Sequence, residues 1–292
     1  MKLGMVIINY NDCDRAISVA NRCSAFLQMD RIVIVDNCSS DNSMDKLSEY
    51  NNEKVDCIKS DKNGGFSYGC NVGAKYLIEN YDPQYILFAN TDTIFGQETV
   101  SACIDALEAH RDVGMVTTRM KGVDEKEQTS AWPFTTYKDQ LLNCFWGYRH
   151  YLSKHPPKGY SYGNNPFEYV DVARGSYMLF KTEALSGANF FDEQTFLYAE
   201  ETIMARRLLK AGYKVGILTE EWYIHNHRES GVKGTSVKQL KALFESAYYY
   251  LTAYCDINLL QRGIFRVAKS YGEVEWTVIS KIKESRLRGN KK

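Results

Sequence analysis

The sequence predicts an α/β protein: an open, mostly parallel central sheet with flanking helices. Three observations predict it. Short apolar runs rich in β-branched residues recur along the first 120 positions, amphipathic helical stretches separate them, and each run stops at polar residues. Apolar runs without alternation fit strands covered on both faces, as parallel strands are.

Leu3 to Ile8 is the first run and breaks at Asn9-Tyr10-Asn11-Asp12; Arg31 to Val35 is the second and breaks at Asp36-Asn37. Between them, residues 14–27 place Ile17, Ala20, Cys23 or Ser24, and Leu27 on one helical face. Strand, helix and strand in so short a span form a right-handed βαβ unit. A weaker strand at Val55–Ile58 leads into Asn63-Gly64-Gly65 and a helix from Ser67 to Tyr81. Tyr85–Ala89 is another buried strand, ending in Asn90-Thr91-Asp92, and a helix from Gln97 to His110 precedes a strand at Val113–Thr117. The repetition is that of a nucleotide-binding sheet.

From Arg119 to Glu168 the rhythm gives way to Tyr, Trp, Pro and Asn, read as loops and short helices over the cleft, where acceptor specificity often resides. Regular structure resumes at Val170–Phe180, followed by a helix over Glu201–Ala211 and a strand over Lys214–Leu218. A long amphipathic helix from Ser236 to about Leu260 sets Val237, Leu240, Phe244, Ala247, Leu251 and Tyr254 on one face. This divides the chain into a domain over 1–235, with one half to about 118 and another beyond it, and a helical extension over 236–292; the family resemblance drawn below implies that the domain is catalytic, its first half the donor half and its second the acceptor half. The extension's tail carries Lys281, Lys283, Arg286, Arg288, Lys291 and Lys292 against one acid, Glu284.

Composition narrows the function. The formal net charge is 0, which encodes no overall attraction to nucleic acid. The 8 Cys stand at irregular spacings without a C-x-x-C pair, as buried thiols in a reducing compartment do. Met1-Lys2-Leu3 runs directly into a strand, leaving too little for a secretory leader, and no apolar run reaches the roughly 18 residues of a membrane span. The expectation is a cytoplasmic protein, with the basic tail as a peripheral contact to the inner face of a membrane. Oligomeric state is not legible.

In an open parallel sheet, ligands bind beyond the carboxyl ends of the strands. Here those ends carry Asn9, Tyr10, Asn11, Asp36, Asn37, Asn63, Gly65 and Asn90. Any one such group is ordinary turn chemistry; several on one rim make a nucleotide site. An acid after the second strand suits ribose hydroxyls or a base N–H, Tyr10 suits packing on the base, and glycines admit close backbone approach. Neither G-x-G-x-x-G nor a P-loop lysine follows the first strand, so dinucleotide and ATP sites lose their main support.

Asp92 ends a buried strand where a divalent cation would neutralise a diphosphate, with Asn90 in support. His225 and His227 alternate beyond a late strand, and imidazole suits Mn²⁺ better than Mg²⁺. Glu200 and Glu201 open a helix beside Phe196 and Tyr198. Acids there serve either as partners of the helix dipole or, desolvated in a cleft, as a general base. The residues themselves leave both open.

Taken together, these motifs resemble the family 2 glycosyltransferases of the GT-A fold, nearest the rhamnosyltransferase-like branch of bacterial surface-polysaccharide synthesis. The likeness runs from Val6 to about Ser230 on Ile7-Ile8-Asn9-Tyr10-Asn11, Val35 to Asp41, Asn63-Gly64-Gly65-Phe66 with Asn71 and Gly73, Asn90-Thr91-Asp92, Gly175 to Leu179, and Phe191 to Tyr213. It implies an inverting transfer from a dTDP- or UDP-linked sugar, dTDP-rhamnose among them, to a glycan or lipid-linked glycan. It implies that Tyr10 and Asp36 bind the nucleoside, that Asn90-Thr91-Asp92 stands for the D-x-D motif, and that His225 completes a Mn²⁺ or Mg²⁺ site. Glu200-Glu201 resembles the family's acidic pair whose second member is the base. Many relatives carry Asp two residues after that pair, where this chain has Ile203. Two alternatives compete: a sugar-nucleotidyltransferase, which would want a basic glycine-rich loop after the first strand, and a non-catalytic sugar-binding relative, which would not need Asp92, Glu201 and His225 together.

Overall fold

The computed structural model describes residues 2–155, 159–226 and 236–289, with side chains in the last helix described to 282. The first half alternates strand and helix: β1 (Leu3–Asn9), α1 (Cys13–Ser24), β2 (Arg31–Asp36), α2 (Ser43–Tyr50), β3 (Val55–Lys59), α3 (Phe66–Tyr81) and β4 (Tyr85–Ala89). Then come β5 (Thr93–Ile94), α4 (Gln97–Ala109), β6 (Val113–Lys121), β7 (Glu127–Gln128) and β8 (Ala131–Trp132). The aromatic-rich middle forms α5 (Tyr137–Leu142) and α6 (Trp146–Lys154). Beyond it lie β9 (Phe167–Val170), β10 (Val172–Ala173), β11 (Tyr177–Lys181), α7 (Thr182–Gly187), α8 (Glu200–Lys210) and β12 (Lys214–His225). Two long helices, α9 (Val237–Tyr254) and α10 (Leu259–Gly289), follow.

The main sheet runs in the order β3-β2-β1-β4-β11-β6-β12-β5. The first four strands are parallel, β12 is parallel to β6, and β11 lies antiparallel between β4 and β6. The inner strands are mainly apolar, and Met5, Ile7, Ile32, Ile34 and Leu87 are fully buried. Gly73 lets α3 pack closely here, since a Cβ there would stand 2.4 Å from Val6 Cγ1. Because β11 runs opposite to its neighbours, its first residues lie at the same rim as the last residues of β4, β6 and β12. That rim gathers the polar strand ends.

The chain forms two compact units: Met1–Pro133 with Gly159–Phe196 and Glu200–Arg228, which holds the sheet, and Phe134–Lys158 with Leu197–Ala199 and Glu229–Lys292. Segment 134–158, read from sequence as part of the acceptor half, groups with the C-terminal helices in the second unit. Within that unit, Cys144, Phe244, Leu251 and Phe265 are buried, and Glu275 accepts the Trp146 N–H at 2.6 Å.

Two local expectations need correction. The stretch Val170–Phe180 is three strands, because the backbone leaves the ladder at Arg174-Gly175-Ser176 to reach the acidic pair described below. The long helix stops at Tyr254, and a second helix starts after Asn258. Asn258 and Gln261 explain that start: each side chain accepts the other's backbone N–H at 2.9 Å, a reciprocal cap. Among the described residues, no helix is long and apolar enough to cross a membrane. Lys281 is exposed; the side chains of the basic tail from Lys283 on, like residues His227 to Ser230, lie outside the described residues.

Candidate active site

Every candidate site residue belongs to the first unit. At the end of β1, Asn9 is fully buried: its amide donates to Asp36 Oδ1 at 2.7 Å, and its carbonyl oxygen accepts the Asp12 N–H at 3.0 Å. Asp36 also accepts from the Ser39 hydroxyl at 2.5 Å and the Ser39 N–H at 3.1 Å, with no exposed surface of its own. Asn37, also buried, donates to the Gly65 carbonyl at 3.0 Å and accepts from the Ser60 hydroxyl at 3.2 Å. Asn63 Oδ1 accepts from Asn37 at 3.3 Å and from the Gly65 N–H at 3.2 Å. These four side chains hold the loops after β1, β2 and β3 in one network. Buried polar groups partnered this fully fix loop geometry.

What the network presents is Tyr10, 49% exposed at the rim, and Asn11, which links to Ser40 on the neighbouring loop. Gly65 is required where it stands: its φ is +87°, and a Cβ would fall 2.0 Å from the Phe196 carbonyl oxygen. Asn71 then fastens the segment leading to α8. Its amide donates to the Phe191 carbonyl at 2.9 Å and to Glu193 at 2.7 Å, while its oxygen accepts the Phe191 N–H at 2.9 Å. Arg207 pairs with the buried Asp192 at 2.9 Å and donates to the Asn189 and Phe190 carbonyls. The acids at 192 and 193 thus brace the approach to α8.

Beyond β4, Asn90 continues the ladder by donating its N–H to the Ser176 carbonyl at 3.0 Å. Its own carbonyl accepts from the Thr93 hydroxyl at 2.8 Å. This turn brings Asp92 Oδ1 to 3.1 Å from His225 Nε2, and Asn226 donates its N–H to the Asp92 carbonyl at 2.7 Å. The pairing of β5 with β12, Thr93 opposite His225, fixes that approach. A carboxylate oxygen and an imidazole nitrogen converging in this way are donors that suit a divalent transition metal. Among the described residues, no third His, Cys, Asp or Glu joins them. A metal held here would need the remaining ligands from donor oxygens and water, which is how Mg²⁺ and Mn²⁺ sit on phosphates.

The acidic pair opens α8 after Tyr198 and Ala199, both with positive φ, a conformation costly for side-chain-bearing residues and common at functional sites. Glu201 Oε1 accepts the Gly175 N–H at 3.2 Å, and a Cβ on Gly175 would crowd that oxygen at 2.9 Å. Burial pushes the Glu201 carboxyl up, while its own backbone N–H, the Arg174 charge and the Gly175 N–H hold it back. Glu200 has only its own backbone N–H in support. Burial first, then repulsion from Glu201, push it up to about 8, and among the described residues its Oε2 has no hydrogen-bond partner. Two half-buried neighbouring carboxyls share the cost of one charge. Burial raises both carboxyls, and of the two Glu201 has the nearby cation and the Gly175 N–H.

This has a measurable consequence. An acid raised in the folded state keeps its proton where the unfolded chain has released it, so stability falls as pH rises from 4.5 toward about 8. Glu200→Gln is therefore expected to raise Tm near pH 8 and to leave it unchanged near pH 4. Scanning calorimetry at the two pH values checks this; an equal Tm difference at both would show that Glu200 carries no such burden.

Three contributors escaped the sequence reading. Tyr223 is fully buried, its hydroxyl 2.7 Å from the Ser176 hydroxyl. Burial raises its pKa, and the nearby charges of Glu201 and Asp92 raise it further, which places both acids within electrostatic reach of one hydroxyl. Arg174 lies 5.1 Å from the centre of the Trp132 ring, because β8 and β10 pair Trp132 with Val172. The guanidinium thus sits against an indole ring while its charge reaches Glu201. No spacing motif signals these residues; they converge through strand pairing alone. Ile203 is buried in the core.

Comparison with known proteins bears on the family and the fold. The chain is 22% identical over 281 residues to the low-salt glycan biosynthesis hexosyltransferase Agl10 of Haloferax volcanii, covering 95% of this chain and 80% of that protein. It is 27% identical over 168 residues to the rhamnosyltransferase WbbL of Escherichia coli K12, covering 55% of this chain and 60% of that one. The fold matches the mannosyltransferase PcManGT of Pyrobaculum calidifontis, solved with GDP-Man and Mn²⁺, with a TM-score of 0.58 at 12% identity over 93% of this chain and 69% of that one. The sequence model described as Glycosyl transferase family 2 matches residues 5–183. By that match, on a GT-A fold, the chain belongs to glycosyl transferase family 2 and is a glycosyltransferase.

Proposed function

We propose that the protein transfers a sugar with inversion from a dTDP- or UDP-linked donor, dTDP-rhamnose among them, to a hydroxyl of a glycan or lipid-linked glycan in surface-polysaccharide synthesis. One observation carries the reading: Glu201, which accepts the Gly175 N–H and has the Arg174 charge nearby, stands on the rim that also carries the Asp92–His225 pair. In this reading Glu201 takes the acceptor's hydroxyl proton. The freed oxygen bonds to the anomeric carbon from the face opposite the nucleotide, and the carbon–oxygen bond to the nucleoside diphosphate breaks with its electron pair. Tyr10 packs on the base, while Asn9, Asn11, Asp36, Asn37, Asn63, Gly65 and Asn90 shape the loops that receive the donor. Asp92 and His225 would hold Mn²⁺ or Mg²⁺, which supplies positive charge to the leaving diphosphate. The Mn²⁺ and nucleotide-sugar in the Pyrobaculum mannosyltransferase support this assignment. Contact of the basic tail with an anionic cytoplasmic leaflet belongs to the same reading and rests on its charge.

The test is a thermal-shift screen of UDP- and dTDP-sugars with and without Mn²⁺. A cognate donor at one hundred times its Kd adds about 2.7 kcal/mol to stability, a shift of several degrees, and does so only with the metal. A flat response to every nucleotide-sugar, with or without metal, would overturn the donor assignment.

A further inference from the structure

The last helix carries a pattern that sugar transfer does not use. Phe265, Ala268 and Gly272 on α10 are buried within the second unit, and a Cβ on Gly272 would fall 2.1 Å from the Cys144 carbonyl oxygen. That face is committed. On another face stand Leu260, Ile264, Val267, Tyr271, Val274 and Val278, each between 45% and 72% exposed.

Their spacing alternates four and three along the chain, the pattern of a coiled-coil heptad seam. At about 100° per residue the six fall within an arc of roughly 80°, narrower than the stripe of a helix that lies on a domain or in a lipid interface. In heptad terms Ile264, Tyr271 and Val278 occupy one core position and Leu260, Val267 and Val274 the other. Both positions carry β-branched residues, Ile264 and Val278 at the first and Val267 and Val274 at the second. One flank is lined, a heptad apart, by Gly263, Ser270 and Thr277. These are small, and a Cβ at Gly263 would meet nothing within 4 Å, so a neighbouring helix finds no steric obstacle there.

The seam needs an occupant whose own face repeats every 3.5 residues, and a second copy of α10 supplies one. The six side chains expose on the order of 600 Å² per copy, close to the roughly 800 Å² per partner of a stable interface and large for a patch left bare on a monomer. The geometry points to a homodimer formed by α10 against α10 of a second copy. Its valine-rich composition contrasts with the Trp, Phe and Leu of helices that bury one face in lipid.

The full-length chain is expected to sediment at equilibrium with twice its 33.5 kDa mass at micromolar concentration. Val267→Lys with Val274→Lys should halve the observed mass while preserving the far-ultraviolet circular dichroism and donor-dependent thermal shift. Both positions are more than half exposed, so the monomer loses little by the change. A wild-type chain that stays monomeric, or a dimer whose mass the double variant leaves unchanged, overturns the proposal. Flotation with phosphatidylserine vesicles distinguishes the rival occupant: monomeric protein that binds vesicles only with both valines in place would assign the seam to lipid, and the dimer would be wrong.

Discussion

Glu201→Gln is expected to bind donor and metal as the wild type does and to transfer sugar about 10²–10⁴-fold more slowly, the usual contribution of a positioned general base. The amide keeps the shape of the side chain and an oxygen able to accept the Gly175 N–H. It cannot take a proton from the acceptor at neutral pH. With the neighbouring charge gone, the second cause holding Glu200 up also disappears, so its carboxyl falls from about 8 toward the ordinary range. Single-turnover transfer measured with saturating donor isolates the chemical step. A rate within threefold of wild type would remove Glu201 from the base role, and a larger loss in Glu200→Gln than in Glu201→Gln would show that the pair is assigned the wrong way round.

Asp92→Asn should abolish Mn²⁺-dependent binding of nucleoside diphosphate while leaving the fold intact. Its side chain stands 3.1 Å from His225 Nε2, and the turn around it is held independently by the Asn226 and Thr93 backbone bonds. Losing the carboxylate therefore removes a hard anionic ligand without removing the turn. Titration calorimetry with and without metal provides the check. A metal-dependent affinity equal to wild type would place the cation elsewhere.

The strand ends were the most legible part of the chain. β4 lies where the apolar run Tyr85–Ala89 lies, and the polar breaks after β1, β2 and β4 do meet at one rim, because parallel order brings carboxyl ends together. The fold class followed from that alternation, and the family from the order of motifs. Less legible was how each polar residue is used. Asp36 and Asn37 look alike to a sequence reader as ligand groups, yet both are buried and partnered by other loops, which only the three-dimensional packing of β1, β2 and β3 decides. Arg174, Tyr223 and Trp132 were invisible for a related reason: their meeting depends on long-range pairing between β8 and β10 and between β6 and β12. The division at Asn258 was missed because the apolar period of α9 continues through it. The signal was present in the reciprocal Asn258 and Gln261 caps three residues apart.

The antiparallel strand β11 also sets the order in which this protein can assemble. Its residues Tyr177 to Lys181 pair with Ala89 to Tyr85, so the edge of β4 must wait for chain made some ninety positions later. At translation rates of roughly 5–20 residues per second, the nascent β3-β2-β1-β4 sheet presents that edge unpaired for on the order of 5–20 s. An apolar strand with free N–H and C=O groups is a template for association with another chain. The strand that brings Ser176 and Gly175 to the acidic pair is thus also the one that closes the sheet against misassembly, and the acidic rim cannot be completed before that vulnerable interval is over.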